Sequence, residues 1–377
     1  MDRDKLTILF FSIFTNIGYS LILYSIKSFG YSDIYYTYFL SVFYLSSLLS
    51  ALLYGNIEIN EKNYVFYNFL GMFATLISIF FLYNPDRFIN IILSTVFSYL
   101  IGSATSFSII RYKKDVGLYY YFTLYGLFGY LIAQALLFSN LGFNMIVLMS
   151  FFSFFIVNII LFSFYFEKFS KFIINSIKED YGLLGTIDRL INYVEVEEEK
   201  FSMKFVGRPT IISLINLLVG ILYSLFWSVL VIKSSVYNAY YPMFLFVNSI
   251  SSLFIYKFMK KTNSMLPSLV GVTLRMFSVV ILLYMLIKGI DSLSLYFVLY
   301  MLAGVSWAEF SYYMDNYVLM KGGEEYGYVT FFRNLSSIVG VSLVGLIGTY
   351  FSLILSFPFF LSVMIVTLIG IRKKYII

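Results

Sequence analysis

The chain has 377 residues, of which 60% are hydrophobic and only 12% charged, with a mean hydropathy of +0.85 and a formal net charge of +6. A soluble domain carries about 25% charged residues, so this chain lacks the polar surface that water requires and needs a bilayer as its solvent. With no Cys and no His, it is excluded from disulfide scaffolds, thiolate chemistry, Cys/His metal or haem sites and imidazole proton relays.

The first apolar segment starts near Leu6, behind Arg3 and Lys5. Its core is too long for a signal peptide and no small-residue cleavage site follows, so it reads as a retained first span. Twelve such segments can be marked. In the first half they fall at 6–27, 33–54, 65–83, 88–110, 117–138 and 144–166. In the second half they fall at 209–232, 236–257, 266–288, 292–314, 326–348 and 350–371. A membrane core roughly 30 Å thick is crossed by about 20 residues at 1.5 Å each, and each segment is long enough. The runs are continuous rather than alternating, which excludes a transmembrane barrel. Corresponding starts in the two halves differ by 201 to 209 residues, as a duplicated six-span unit gives. Gly71 and Gly271, and Gly102 and Gly304, recur near the same offset.

The segment from Glu167 to Arg208 is the only long polar stretch. Phe169, Phe172, Ile173 and Ile177, then Leu183, Leu184, Ile187, Leu190, Ile191 and Val194, recur at three- and four-residue spacing with charges between them. That pattern predicts short amphipathic helices along the membrane surface or under the bundle. The expected organisation is a half at 1–166, a linker at 167–208 and a half at 209–377. With the N-terminus inside, 20 of the 26 basic residues fall in inner segments and four, Lys27, Arg87, Lys233 and Lys288, in outer loops. This positive-inside bias places both termini and the linker in the cytoplasm; the plasma membrane is the expected location. The bias also accounts for the net charge without a nucleic-acid partner.

Two six-span halves around such a linker resemble the major facilitator superfamily. The stretch "GVSWAEFSYYMDNYV", then Gly327, then "FFRNLSSIVGVSLVG", is similar to the tenth and eleventh spans of that family, and "TNIGYSLILYSIKSFGYSDIYYTYFLSVFYLSSLLSALLYG" to its first two. The resemblance implies an all-α integral membrane fold of twelve transmembrane helices in two pseudo-symmetric halves, with spans 1, 4, 7 and 10 around a cavity. Its signature loop between spans 2 and 3 is degenerate here: "GNIEINEKN" keeps Gly55, Glu58 and Lys62 without the spacing. The symmetric loop keeps only Lys260 and Lys261, and "FSYLIGSAT" in span 4 lacks the Arg often found in proton-driven antiporters.

A charge at the bilayer centre costs roughly 2.5–3.5 kcal/mol on insertion scales, so each one within a span calls for a reason. Three stand out: Arg275, Glu309 and Arg333. Glu309 near the inner end of span 10 and Arg333 near the inner start of span 11 fall at similar depth, about 8–11 Å in. They are candidates for a coupling or gating pair in which Glu309 takes a proton or another cation; a static ion pair is the rival reading. Arg275 is expected to snorkel to the inner surface. Asn16, Gln134, Trp227, Asn248 and Trp307 are candidate cavity-lining residues, with an interhelical hydrogen bond as the alternative for the amides. Asp315, Glu324 and Glu325 read as a solvated loop.

The expected function is secondary active transport of a small organic solute by alternating access, with the bilayer, the solute and protons or another coupling ion as partners. No enzyme activity, cofactor or metal site is expected. The alternative is a non-transporting membrane scaffold or sensor with a decayed transporter fold.

Overall fold

The computed structural model describes residues 3–28, 45, 116–139, 141–142, 144–157, 159, 210–259, 264–321 and 323–372. The spans expected at 33–54 (residue 45 apart), 65–83 and 88–110, and the linker helices expected within 167–208, lie outside the described residues. The described chain forms α1 (Arg3–Ser28), α2 (Val116–Leu137), α3 (Asn144–Val157), α4 (Ile211–Lys233), α5 (Tyr241–Phe258), α6 (Ser268–Lys288), α7 (Leu293–Lys321) and α8 (Gly323–Arg372).

Local chemistry sets the ends of these helices. The Thr210 hydroxyl accepts from the Ser213 N–H at 3.1 Å and caps α4. A 3-10 segment, Ser234–Tyr240, turns the chain into α5, which starts with Pro242 in its first turn, where no N–H is needed. At the end of α6, Gly289 adopts φ 62°, and the Ile290 N–H reaches back to the Met285 carbonyl at 2.9 Å. That left-handed position suits glycine because no Cβ crowds the carbonyl.

α8 is two helices in sequence. Gly348 has φ 78° and ψ 171°, outside any helical region, and breaks α8 where spans 11 and 12 were expected to meet. The stretches Ile211–Phe258 and Phe331–Arg372 are apolar over 48 and 42 residues, each enough for two crossings. With Ser268–Lys288 and Leu293–Val318, the second half has the expected helical spans. Val270, Phe277, Val280, Tyr284 and Ile287 on α6, and Leu346, Phe351, Leu361, Ile365 and Leu368 on α8, are all exposed. Apolar faces of that extent need hydrocarbon around them.

Lipid gives helices no hydrophobic reason to associate, so small residues and hydrogen bonds join them. α4 and α8 meet through a reciprocal pair of small residues. A Cβ on Gly220 would strike the Ser336 side chain, and one on Gly340 the Ser224 side chain. α1 and α2 pack likewise: the Ser12 hydroxyl donates to the Phe122 carbonyl at 2.5 Å, and a Cβ on Gly129 would fall 2.3 Å from the Ile13 carbonyl oxygen. In each half, then, the first and fifth expected spans are partners. α7 is held by α5 at Gly304 and by α6 at Gly271. Across the halves α2 packs on α5 and α7, with Leu124 and Leu127 against Tyr256, Ala308 and Tyr312.

Candidate functional site

The chemistry in the described spans concentrates where α4, α6, α7 and α8 converge. On α7, Phe310 and Met314 are buried one turn apart, while Trp307 keeps 39% of its surface exposed. The Trp307 ring stands edge-on to Tyr223 of α4, with centroids 5.7 Å apart, and Phe310 lies 5.5 Å from the same tyrosine. The Tyr223 hydroxyl donates to the Ser306 carbonyl at 2.8 Å, so this aromatic group has a bonded polar tip.

Arg333 of α8 reaches this cluster from the other side. Its Nη2 donates to Asp315 Oδ1 at 2.6 Å and to Asn216 Oδ1 at 3.0 Å. Asn216, fully buried on α4, donates its Nδ2 to the Ile212 carbonyl at 3.0 Å, which turns its oxygen toward the arginine. The guanidinium carbon also lies 5.9 Å from the Trp307 ring and 5.8 Å from the Phe310 ring, within cation–π range. One arginine thus ties α4, α7 and α8 together.

The partner of Arg333 is Asp315, not Glu309, which corrects the expected pair. Helical side chains lean toward their own N-terminus. Arg333 therefore leans toward the start of α8, where Asp315 sits near the end of α7. Glu309 leans the opposite way along α7 and, six residues from Asp315 at 100° each, points about 120° away from it. Asp315 is itself a correction: it is 3% exposed rather than a solvated loop residue. The apolar segment expected at 292–314 stops just before Asp315, whereas α7 continues to Lys321. The available signal was an acid directly after "SYYM", still inside an apolar helical face.

Glu309 is half-buried and forms no ion pair among the described residues, where Tyr223 and Tyr313 are its electrostatic neighbours. Arg275 also departs from expectation. It is 3% exposed and does not snorkel; Nη2 donates to the Ala303 carbonyl at 2.9 Å, and the guanidinium lies 4.1 Å from the Tyr223 centroid.

The remaining candidates lie apart from this cluster. Gln134 is 1% exposed between α1 and α2, with Nε2 donating to Ser20 Oγ at 2.5 Å, an interhelical hydrogen bond that ties the two helices. Asn16, half-buried, donates to the Ser12 carbonyl at 2.8 Å and sits beside Gly126 and Gly129. Trp227 stands edge-on to Tyr300 at 5.6 Å, one turn beyond Tyr223 on α4. Asn248 is half-buried on α5, and its carbonyl accepts from Ser251 and Ser252. Among the described residues no group of acidic side chains can hold a metal. Replacing Gln134 by Leu is expected to lower stability by only about 0.6 kcal/mol, the mean for hydrogen bonds between membrane helices; thermal unfolding in detergent reads this directly.

No protein-family model matches the chain, and no curated protein matches it by sequence. Solved structures do match. The human organic anion transporter MFSD10 (TETRAN) superposes with a TM-score of 0.64 at 11% identity, over 97% of this chain and 98% of that one. A POT family transporter in complex with a thioalcohol-conjugated peptide gives 0.65 at 14% identity, over 98% and 96%. A POT family transporter in complex with 5-aminolevulinic acid gives 0.64 at 14%, over 99% and 97%. Similarity over nearly the full length of both chains, at an identity this low, is similarity of fold. The chain has the all-α membrane fold of the major facilitator transporters, as the resemblance implied.

Proposed function

We propose that this chain, built on a major facilitator transporter fold, is a secondary active transporter that moves a small organic solute by alternating access between residues 1–166 and 209–377, joined by the linker at 167–208. The matched transporters are described with organic anions, a peptide conjugate and 5-aminolevulinic acid, which makes small organic solutes the class to try first. The positive-inside bias supports a plasma-membrane chain with cytoplasmic termini.

The observation that carries the reading is Glu309. A carboxylate half-exposed on a membrane helix, with no cation paired to it among the described residues, is costly in a purely structural part. It is free to take up a proton or another cation as solute passes. In this reading Arg333, with Asp315 and Asn216, is a gate latch holding α4, α7 and α8 at one end, and Trp307 is the exposed ring that a solute meets. Trp227, Asn16 and Asn248 remain candidates for the rest of the path.

The test is uptake into proteoliposomes, with and without a proton gradient, of organic anions, short peptides and 5-aminolevulinic acid. The wild type is expected to show gradient-driven accumulation. Glu309→Gln is expected to lose about tenfold or more of the gradient-driven rate, in keeping with the loss of a positioned proton carrier, while solute exchange at equal pH persists. Unchanged gradient-driven uptake in Glu309→Gln removes the coupling role.

A further inference from the structure

Arg275 is a buried cation that the gate latch and Glu309 do not use. It sits on α6 with 3% of its surface exposed. Among the described residues no carboxylate pairs with it, and its Nε and Nη1 have no hydrogen-bond acceptor. A charge left in that condition inside a membrane bundle is expensive. A serine or threonine would tie two helices at far lower cost, so the tie alone does not explain an arginine here.

The guanidinium has two kinds of contact that a hydroxyl cannot combine. Its Cζ lies over two rings of α4, 4.1 Å from the Tyr223 centroid and 4.8 Å from that of Phe226. Its Nη2 donates to the Ala303 carbonyl of α7 at 2.9 Å, an acceptor shared with the Ser306 hydroxyl at 3.0 Å. In an α-helix that same carbonyl receives the N–H four residues on, that of Trp307. The peptide unit before Trp307 consists of this N–H and the Ser306 carbonyl. Arg275 bonds the acceptor of the one, and the Tyr223 hydroxyl bonds the other at 2.8 Å. Gly271, one turn before Arg275, lets α6 approach closely: a Cβ there would fall 2.6 Å from the Ser306 carbonyl oxygen.

We infer that Arg275 is a positioning residue for Trp307: set over the Tyr223 ring and bonded to the Ala303 carbonyl, it clamps the Ser306–Trp307 peptide and holds the exposed indole against Tyr223. Its importance for transport rests on the reading of Trp307 as a solute-facing ring; the clamp itself does not. A guanidinium over a ring also differs from an ammonium, which keeps the charge and a donor but loses the planar fork.

The chain has two tryptophans, so Trp227→Phe leaves Trp307 as the sole indole reporter. In that background, on full-length protein in detergent, Arg275→Met is expected to raise acrylamide quenching of Trp307 about twofold and lower its emission anisotropy, as the ring loses its edge-on partner. Arg275→Lys should recover part of the change, and Tyr223→Phe, which keeps the ring and removes only the hydroxyl, should show part of it. Val279→Ala, a buried substitution one turn from Arg275 on the same helix, is the control for general loosening of this core. Native quenching and anisotropy in Arg275→Met overturn the inference, as does an equal change in Val279→Ala. If Arg275→Met does not fold, native values in Tyr223→Phe overturn it. None of these readings needs transport, so a failed uptake experiment and a failed clamp are separate outcomes.

Discussion

Asp315→Ala is expected to destabilise the protein by roughly 3 kcal/mol, the lower end of the range for breaking a buried ion pair. The loss does not come mainly from the attraction between the charges. It comes from leaving Arg333 without its carboxylate in a site that was desolvated around the pair, while Asn216 still accepts from its Nη2. Asp315 is 4% and Arg333 18% exposed by side chain, so solvent relieves part of the orphaned charge, which is why the lower end applies. Replacing both, as Asp315→Leu with Arg333→Met, removes the two charges together and is expected to return most of the stability. Thermal unfolding of the three proteins in one detergent makes the comparison. If Asp315→Ala unfolds with the wild type, the pair is not the tie between α7 and α8 that its geometry indicates. The double replacement also separates stability from function, because in the proposed reading it restores folding without restoring a gate that opens and closes.

A second large effect is expected at Gly304. An added Cβ would fall 2.1 Å from the Asn248 carbonyl oxygen and 2.4 Å from Ser251 Oγ, both on α5. The nearest atom belongs to the backbone, which cannot rotate aside, so Gly304→Ala must push α5 and α7 apart. Two bonds go with the separation: Ser252 Oγ to the Gly304 carbonyl at 3.0 Å and Ser251 Oγ to the Met301 carbonyl at 3.1 Å. Overpacking costs about 1–3 kcal/mol where side chains can adjust, and here the expected loss is at or above the top of that range. Gly142→Ala is the matched comparison, since nothing lies within 4 Å of a Cβ there. Equal thermal stability of the two variants would show that α5 and α7 are not in close contact at this point.

The spans were legible because hydrocarbon imposes a length and a composition on whatever crosses it. The break between spans 11 and 12 was legible for a related reason: Gly348 falls where one apolar run of membrane length ends and the next begins. The individual charges were harder to place. Depth along a helix can be counted from its ends, and Glu309 and Arg333 did fall at similar depth. What counting omits is the lean of helical side chains toward the N-terminus, which in an antiparallel pair carries Arg333 toward Asp315 and Glu309 away from it. Asp315 is not legible as a buried residue because hydropathy falls at the first charge, even when that charge is the buried partner of another. The place of Arg275 is not legible for a different reason. Snorkelling assumes a lipid-facing side chain, and which face of α6 meets lipid depends on Gly271 and Val272 facing inward, a property of packing that one sequence does not display.

Alternating access is the central claim, and distances between the halves test it most directly. The native chain has no cysteine, so Ser139→Cys on the loop after α2 and Val236→Cys between α4 and α5, both exposed, give one specific pair of spin-label sites at one end of the two halves. Electron–electron double resonance on this pair in lipid should show two distance populations whose ratio changes between acidic and neutral pH and becomes insensitive to pH in Glu309→Gln. A single distance, unchanged by pH and by every solute tried, would contradict a transporter and describe a static membrane scaffold.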